Sequence, residues 1–566
     1  MQREFRSEGV RETGNCLSLL LMILESVISA LHTIFSVQHF SFLLLGLFVG
    51  LLLGLLPGMN GIVGLTILFP FLTYLDHSSA LAVMSSMIAV VCISDSFSSI
   101  LLGIPGTAAS QATVVDGYAL TKKGKPYEAL GAAFSASLFG GIFGALVLSI
   151  FIFYAKPIIL SFTSAELFMF SLLGLSFVGL LFDGGLVKGL ASCTLGIIIG
   201  CIGTSPILGE GRFLLGTFYL YEGLSVFIVA LGIFALPEIL TIIQSKSSPI
   251  TKNHSTDKFF VGVRETLKHK WLVLRCSMLG TLVGAIPGLG GAVVDWLAYG
   301  HVVNSSKDKS QFGKGDIRGV IAPESSNNAK EGGSFIPTIL FGIPGSGTMA
   351  LLLVAFERID IIPSLNFIET NLDLVYIIVW SLVIATILGV VISFCFSKMF
   401  LRLLSIKYYF LAPLIFCIVI SSAYAVNQEF DDLIALFIFG ALGILLKKDN
   451  WSRPALILGF VMSSYIELYF YQAMKIYSYE FLYRPIVLLV IVIMIFSFWS
   501  FRKIKRYEEG KSFLLLPVCA FFLLFAACLY GLSYSTYIFP LFMITLFFTF
   551  LLIRRIHNGT NTIVSI

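Results

Sequence analysis

Two short segments combine residue types that suit the binding of an anion. They read Ile-Pro-Gly-Thr at 104–107 and Ile-Pro-Gly-Ser at 343–346, each after an apolar stretch. Proline prevents a continuous helix, and glycine lets a ligand approach the backbone closely. A helix that restarts after such a break exposes unpaired N–H groups and the positive end of its dipole, where a carboxylate can bind. The predicted substrate-binding residues here are Pro105, Gly106, Thr107, Pro344, Gly345 and Ser346; the alternative is a plain kink without a ligand.

The helix that ends before each break has the opposite chemistry. Its last carbonyl groups lack intrahelical partners and suit a cation such as Na⁺. An acid, Asp95, also lies in the apolar run before the first break, and a buried acid in such a run is typical of ion or proton pathways. The predicted cation-coupling residues are Asp95, Ser96, Gly103 and Gly342. The alternative for Asp95 is a re-entrant loop in water, where the acid would not be buried.

Two further polar segments lie beside the predicted breaks. The stretch APESSNNAKEGGSFIP at 322–337 offers hydroxyl and carboxamide groups that can contact a carboxylate or Na⁺. An earlier Pro-Gly pair at 57–58 is followed closely by an asparagine. The residues added to the predicted substrate site are Gly58, Asn60, Ser325, Asn327 and Asn328. The alternative for 322–337 is an ordinary external loop, and we expect Asp116 and Glu324 to be acids on the loop side.

The elements that position these residues are predicted to be membrane helices. The 566 residues are 57% apolar and 12% charged, with a mean hydropathy of +0.94, whereas soluble domains carry about 25% charged residues. The apolar runs have the length of helical spans rather than of barrel strands. We therefore predict an all-α polytopic membrane protein with about 12 spans. Basic clusters between the runs predict cytoplasmic loops, and the net charge of +5 gives no indication of nucleic-acid binding.

Two motifs recur in the same order and predict an internal repeat. The pattern GxxxGxxPG starts at Gly50 and at Gly280, an offset of 230, and SILLGIPGT at 99–107 matches TILFGIPGS at 338–346, an offset of 239. The predicted division is an N-terminal segment with an amphipathic helix at 1–39, half one at 40–243, a central polar loop at 244–270, half two at 271–500 and an appended hairpin at 501–566. Inverted halves are our preferred hypothesis, because many secondary transporters are built so.

Patterns typical of enzymes, metal centres and ATP-driven pumps are absent from the sequence. It contains no HExxH, no GxSxG and no phosphate-binding loop followed by Lys-Ser or Lys-Thr. The nine cysteines form no CxxC pair and lie mostly in apolar segments, which indicates core residues rather than a metal site. We therefore expect no catalytic residues, no metal site and no cofactor, with Na⁺ or H⁺ as the coupling ion.

Several long motifs resemble one family of transporters. They are GLLLGLLPG, ILLGIPGTAASQATVVDGYALTKKGK, GEGRFLLG, GTLVGAIPGLGGAVVDWLAYG and FGKGDIRGVIAPESSNNAKEGGSFIPTILFGIPGS. Together they resemble the large membrane subunit of tripartite tricarboxylate transporters, from about residue 15 to 500. The sequence departs from the usual family pattern at Met59-Asn60 and at Ser94-Asp95-Ser96, where ligand binding is expected. The final hairpin looks like part of the family's small subunit.

The resemblance implies a multi-pass protein of the bacterial inner membrane that imports organic carboxylates. The implied partners are a periplasmic substrate-binding protein, a small membrane subunit, the carboxylate and the lipid bilayer. The implied energy source is a Na⁺ or proton gradient. The alternative is a membrane scaffold or sensor that binds a periplasmic protein and transports nothing.

Overall fold

The computed structural model describes residues 23–56, 60–72, 74–180, 186–207, 209–244, 259–287, 290–397, 399–400 and 411–495. Helices dominate these residues, and the one sheet among them is the two-stranded pair β1 Gly203–Thr204 and β2 Gly211–Arg212. The predicted all-α class is therefore confirmed for the described part of the chain. The predicted hairpin at 501–566 and the site residue Gly58 lie outside the described residues.

The helices fall into two series along the chain. The first is α1 Ile23–Ile34, α2 Val37–Leu55, α3 Gly61–Leu72, α4 His77–Leu101, α5 Gln111–Lys122, α6 Pro126–Phe153, α7 Ala155–Leu160, α8 Ser164–Leu180, α9 Leu186–Gly200, α10 Val226–Ala230 and α11 Leu236–Gln244. The second is α12 Phe259–Lys268, α13 Lys270–Gly284, α14 Gly290–Ser305, α15 Arg318–Phe341, α16 Gly347–Arg358, α17 Leu365–Thr370, α18 Leu372–Cys395, α19 Leu411–Asn427, α20 Phe430–Lys448, α21 Arg453–Tyr477 and α22 Pro485–Ile495.

Five of the described helices are long and apolar enough to cross a membrane. They are α2, α4, α6, α18 and the segment Arg453–Tyr483. The apolar window of α4 is entirely buried, whereas α2 and α6 are less than half buried. Helix α4 therefore lies at the centre of the protein, surrounded by helices whose outer faces are apolar. Shorter apolar helices, including α3 and α9, accompany the five, and about 12 spans remains a prediction.

Glycines allow two helix pairs to pack closely, as small residues do between membrane helices. Helix α2 packs on α4, and α13 packs on α15. The facing pairs are Gly46 with Val83, Gly50 with Met87, Gly280 with Ser326 and Gly284 with Lys330. A Cβ atom at Gly50 would lie 2.7 Å from the Met87 carbonyl oxygen. The residue numbers rise together in both pairs, so the two helices of each pair run in the same direction.

The central helices α4 and α15 cross in opposite directions. The Ser96 hydroxyl donates to Glu324 Oε2 at 2.8 Å, and the Cys92 thiol donates to Glu331 Oε1 at 3.1 Å. Residues earlier in α4 therefore contact residues later in α15. Cys92 and Glu331 are 239 residues apart, which equals the offset between the two break motifs.

Around this crossing, each series packs on helices of the other. Helix α6 packs on α15 and α18 packs on α4, while α3 packs on α16 and α5 packs on α14. The end of α6 and the start of α18 lie on the same side, because Lys156, at the start of α7, pairs with Glu369 of α17 at 2.8 Å. Helices α6 and α18 therefore run in opposite directions.

The structure differs from one expected loop and from the loop alternative for 322–337. Residues 259–268, assigned to the central polar loop, form α12, whose Gly262 lies against the Glu128 carbonyl of α6. The amphipathic pattern of α12 is that of a helix on a protein surface. Residues 322–337 form part of α15 and are buried throughout. Their small side chains let α15 pack against α6 and α13 at once, so the polar sequence belongs to a core helix rather than an external loop.

Candidate functional site

The two predicted breaks have the same backbone arrangement. Gly103 and Gly342 have φ values of +70° and +64°, in the left-handed region that favours glycine. After each glycine the chain turns back toward the helix it has just left. The Gly106 N–H donates to the Ser99 hydroxyl at 3.4 Å, and the Gly345 N–H donates to the Thr338 hydroxyl at 3.4 Å. Each break is thus a folded-back turn rather than a kink within one helix.

Three of the predicted residues cap helices that begin inside the protein. The Thr107 hydroxyl accepts from the Ala109 N–H at the start of the 3₁₀ turn that leads into α5. The Ser346 hydroxyl accepts from the Met349 N–H of α16 at 3.3 Å. The Asn60 side-chain oxygen accepts from the first N–H groups of α3. Each cap leaves other N–H groups of the first turn available to a ligand.

The helix starts lie in two pairs. The first residue of α3, Gly61, faces Thr348 in the first turn of α16. Helix α14 packs on the 3₁₀ turn that leads into α5, and Trp296 in its second turn donates to Gln111 at 3.3 Å. Every one of these starts carries the partial positive charge of a helix N-terminus. The fold therefore brings α3, α16, α14 and the turn into α5 beside α4 and α15.

Asp95 faces the first break. Its side chain is buried, and its Oδ2 atom accepts from the Thr107 hydroxyl at 2.6 Å. A Cβ atom at Gly106 would lie 2.6 Å from the Asp95 Cβ atom. The other oxygen, Oδ1, has no hydrogen-bond partner within the described part of the chain. The re-entrant alternative, in which this acid lies in water, is wrong because α4 is buried on every side.

The second break has a hydroxyl at the position that Asp95 occupies in the first. A Cβ atom at Gly345 would lie 2.8 Å from the Ser334 Cβ atom, and Ser334 is 239 residues after Asp95. Hydrogen bonds repeat as well, since Ser99 donates to the Asp95 carbonyl and Thr338 donates to the Ser334 carbonyl. The two breaks therefore share their geometry and differ in charge.

Further acids surround Asp95. The Glu324 carboxylate accepts from Ser96 and from Ser137 of α6 at 3.1 Å. Glu331 pairs with Lys330 at 2.7 Å, and its Oε2 atom has no partner among the residues described. Asp295 of α14 is fully buried and lies within electrostatic range of Glu324 and Asp95. Four acids and one lysine thus share a buried region, which we call the acidic cluster: Asp95, Asp295, Glu324, Lys330 and Glu331.

The three predicted residues of 322–337 lie on α15 beside this cluster. Asn328 donates to the Glu324 carbonyl at 3.1 Å and to the Cys92 carbonyl at 3.4 Å, so it holds α15 against α4. The Ser325 hydroxyl donates to a carbonyl of its own helix. Asn327 is buried, and neither atom of its carboxamide has a partner in the described residues. Of the three, Asn327 is the side chain with free capacity for a ligand.

The comparison with known protein families agrees with the resemblance seen in the sequence motifs. Residues 40–458 match the model of the family described as "Tripartite tricarboxylate transporter TctA family". The chain belongs to this TctA family. It is therefore a membrane-embedded component of a tricarboxylate transporter, from a family of transporters rather than of enzymes.

Two relatives come from Agrobacterium vitis. One, an uncharacterized 52.8 kDa protein in the TAR-I ttuC' 3'region, is 30% identical over 431 residues, which cover 76% of this chain and 86% of the relative. The other, an uncharacterized protein in the TAR-II ttuC' 3'region, is 34% identical over 197 residues, 35% of this chain and 81% of the relative. No solved structure matches the chain.

Several residues of this TctA-family site were missed or misplaced by the sequence reasoning. Glu324, expected on the loop side, is fully buried in α15. Asp116 is buried as well and accepts from Tyr299 and from the backbone N–H groups of Gly315 and Asp316, so it anchors the turn before α15. Asp295, Lys330 and Glu331 were not selected. For Asp295, an acid within an otherwise small and apolar stretch is the signal that would have found it, whereas Lys330 and Glu331 lie in a polar stretch that gives no such signal.

The acidic cluster offers oxygen atoms of the kind that bind a light cation or a proton. Within the described ranges, no three or more His, Cys, Asp or Glu side chains converge to hold a metal ion by themselves, so a cation here would also need hydroxyl or backbone carbonyl ligands. Carboxylate, hydroxyl and backbone carbonyl oxygens are ligands suited to Na⁺, and carboxylates can also carry protons. The cluster and the helix N-termini thus offer binding partners for charges of opposite sign.

Proposed function

We propose that this chain is the large membrane subunit of a secondary transporter that imports organic di- or tricarboxylates together with Na⁺ or H⁺. It works in the bacterial inner membrane with a small membrane subunit, and a periplasmic binding protein delivers the substrate. Family membership and the buried site support this proposal. The single observation that carries it is the presence of an acid at the first break and of a hydroxyl at the equivalent position of the second.

Because of this difference, we assign cation binding to the first break and substrate binding to the second. Asp95 supplies the negative charge at the start of the turn into α5, so that N-terminus already has an anion within the protein. At the second break the equivalent residue is Ser334, so that position supplies a hydroxyl and no carboxylate to the N-terminus of α16. The substrate carboxylate binds at Ser346 and Gly345, and the coupling cation binds at Asp95.

Electrostatic repulsion links the binding of the cation to the binding of the substrate. Four buried acids and one lysine leave an excess of negative charge in the empty site if all are ionised, and an isolated buried charge is unfavourable. A carboxylate substrate would add to that excess. A Na⁺ ion or a proton on the acidic cluster removes the repulsion, so the cation binds first and the anion follows. Coupling results, because the substrate anion does not enter favourably until the cation has bound.

The two halves are related as inverted repeats in this proposal. The antiparallel crossing of α4 and α15, with Cys92 and Glu331 in contact across an offset of 239 residues, supports a two-fold axis through this point. The antiparallel α6 and α18 support the same relation. Movement of one group of helices against the other about this axis exposes the site alternately to the two sides, as in other transporters with inverted repeats.

The alternative function, a scaffold or sensor that moves nothing, has less support. Buried unpaired carboxylate and carboxamide atoms destabilise a protein that uses them for nothing. Asp95 Oδ1, Glu331 Oε2 and the Asn327 side chain are such atoms among the residues described. A scaffold gains nothing from them, whereas a transporter fills these positions in its loaded state.

Uptake into proteoliposomes tests the proposal and its division of tasks. With the binding protein supplied, a labelled carboxylate from a panel should accumulate only under an inward Na⁺ or proton gradient. Ser346→Ala should raise the substrate KM about tenfold or more by removing a cap and a ligand hydroxyl. Asp95→Asn should instead abolish the dependence on the cation gradient. Thr107→Ala should resemble Asp95→Asn, because Thr107 contacts that acid.

A matched control is Ser161→Ala, which removes an exposed hydroxyl that donates to the nearby Ile158 carbonyl at 2.6 Å. It should leave uptake unchanged. Uptake that ignores both gradients across the whole panel would refute the transport proposal. If Ser346→Ala and Asp95→Asn altered the same parameter, transport would stand and the division of tasks would be wrong.

A further inference from the structure

A second feature, remote from the acidic cluster, is the 201–225 loop between α9 and α10. Two contacts hold it, one buried and one partly buried. The Arg212 guanidinium donates to both carboxylate oxygens of Glu467 in α21 at 3.0 Å. The Tyr219 hydroxyl donates to Asp432 in α20 at 2.8 Å. Arg212 and Glu467 are at most 4% exposed, so the first contact is a shielded, bidentate ion pair.

Between these contacts the loop presents large apolar side chains to its surroundings. Leu215 is 87% exposed and Phe218 is 96% exposed. Leu215 also has a positive φ of 48°, which a non-glycine residue adopts only at an energetic cost. A loop fixed at both ends and strained at its tip holds these two side chains in place rather than letting them collapse onto the protein.

The loop lies on the side opposite the basic clusters. Helices α9 and α21 run in the same direction, since Gly196 lies against Leu456 and Gly200 against Ser463. The start of α21 follows Lys447 and Lys448, a cluster expected in the cytoplasm. The 201–225 loop follows the far end of α9. It therefore faces the exterior when the basic cluster faces the cytoplasm.

The start of α20 extends the same surface. Phe430 is 75% exposed and lies two residues from Asp432, which holds the loop. Burial, the hydrogen bond to Asp432 and the nearby charges of Asp431 and Glu429 together raise the pKa of the Tyr219 hydroxyl, so these acids lie close to the loop. The outer acidic surface, as we call it, comprises Leu215, Phe218, Glu222, Glu429, Phe430 and Asp431, all of which are exposed.

We propose that the outer acidic surface is the docking site for a soluble protein that has an apolar recess with a basic rim. This inference rests on the proposed function, in which that partner is the periplasmic binding protein. Exposed aromatic and aliphatic anchors at the centre of a contact supply most of its energy. A ring of acids around them steers a partner of opposite charge and sets its orientation.

The charge of the surface favours a protein over the membrane as its partner. Loops that lie against bilayers usually add Lys or Arg for anionic headgroups. The outer acidic surface instead has Glu222, Glu429 and Asp431. Arg212 of the loop is buried in its ion pair with Glu467. Anionic lipid would be repelled, whereas a basic protein surface is attracted.

The test uses the full chain in nanodiscs and a panel of purified tricarboxylate-type periplasmic binding proteins from the same organism. At least one should bind, with an affinity that falls as salt is raised. The double variant Leu215→Ala/Phe218→Ala should bind it about tenfold more weakly or worse. Glu429→Lys/Asp431→Lys should lower the association rate. Ile362→Ala, which changes an exposed apolar residue of another loop, should bind as the wild type does.

A photocrosslinking amino acid in place of Phe218 identifies the occupant directly. A crosslink to the binding protein supports the proposal, and a crosslink to lipid, to another part of this chain or to a second copy overturns it. Equal binding by the wild type and the double variant also overturns it. If that double variant also imports carboxylate normally, the transport function stands without this docking site; if the wild type neither binds any panel protein nor takes up carboxylate, both proposals fail.

Discussion

At the scale of single residues, the acidic cluster depends on one lysine. Lys330 pairs with Glu331 at 2.7 Å, and both side chains are less than 10% exposed. It is the positive charge of the cluster, within electrostatic range of Asp295 and Glu331. Its role is therefore to reduce the repulsion among the acids while the site is empty. Without it, the empty protein would carry four buried acids and no compensating charge.

We predict that Lys330→Met destabilises the protein and that Lys330→Met/Glu331→Gln restores most of the loss. Breaking a buried ion pair costs about 3–5 kcal/mol because it leaves a charge uncompensated, whereas replacing both partners is close to neutral. Thermal unfolding of the purified chain in detergent measures this difference. Lys156→Met is the control, since Lys156 and Glu369 form an exposed pair of little expected value. A double variant as unstable as the single one would refute the assigned role of the lysine.

The residues of the site were only partly predictable from the sequence. Asp95 and the two Pro-Gly breaks stand out because an acid and a helix breaker are rare in apolar runs. Glu331 and Lys330 were hidden within a polar stretch that reads equally well as a loop. Their burial follows from the glycines around them, which let three helices converge. That convergence depends on contacts hundreds of residues apart, which one sequence does not display.

At the scale of secondary structure, the polar helix α15 is held in the core by the close approach of backbones. Gly332 lies against Gly144 of α6, and Gly333 lies against the Thr281 carbonyl of α13. A side chain at either glycine would collide with backbone that cannot move aside. The small residues of α15 thus compensate for its few large apolar side chains. Close contacts between helix backbones stabilise it in place of hydrophobic packing.

We predict that Gly332→Ala lowers the stability of the protein by about 1–3 kcal/mol, the usual cost of overpacking a core. Alanine favours the helical state over glycine by about 1 kcal/mol, so the loss must come from the clash with Gly144. Gly300→Ala in α14 is the matched control, because no atom lies within 4 Å of the added Cβ. Thermal unfolding should show a loss for the first variant and none for the second. Equal stability of both would mean that α6 and α15 separate easily.

The secondary structure itself followed largely from the pattern of apolar residues. Long runs gave α4, α6 and α18, and the Pro-Gly pairs marked where helices stop. The sequence did not indicate which direction the chain takes after each break. A Pro-Gly pair permits both a kink and a full reversal, and the hydrogen bonds from Gly106 and Gly345 to preceding hydroxyls select the reversal. Such local bonds decide between conformations of similar backbone energy.

At the scale of the whole molecule, helices of the two proposed halves pack on each other around the crossing of α4 and α15. Helices that begin at a break in one half pack on helices of the other, as α5 does on α14 and α3 on α16. The site is therefore shared, and neither half alone contains both pairs of helix starts. The same arrangement makes the relation between the halves testable, because inversion places equivalent residues on opposite sides of the membrane.

Lys123 and Ile362 are such a pair, both exposed and separated by the offset of 239 residues that relates the two breaks. In a chain in which the exposed Cys395 and Cys417, and Cys16, Cys519 and Cys528 outside the described residues, are replaced by serine, we expect Ile362→Cys to react with a membrane-impermeant maleimide on intact cells. Lys123→Cys should react only after permeabilisation, because its basic neighbours predict a cytoplasmic loop. Labelling is measured by the mass shift of the purified chain.

Two reference positions calibrate this experiment. Thr217→Cys, in the 201–225 loop, should be labelled from outside, and Asn450→Cys, beside the basic cluster before α21, only from inside; both residues are exposed. If Lys123→Cys and Ile362→Cys reacted on the same side, the halves would be parallel and the two-fold axis at Cys92 and Glu331 would not lie in the membrane plane. Rocking about that axis could then not open the site first to one side of the membrane and then to the other. Alternating access by symmetry requires the two halves to be inverted relative to each other in the membrane.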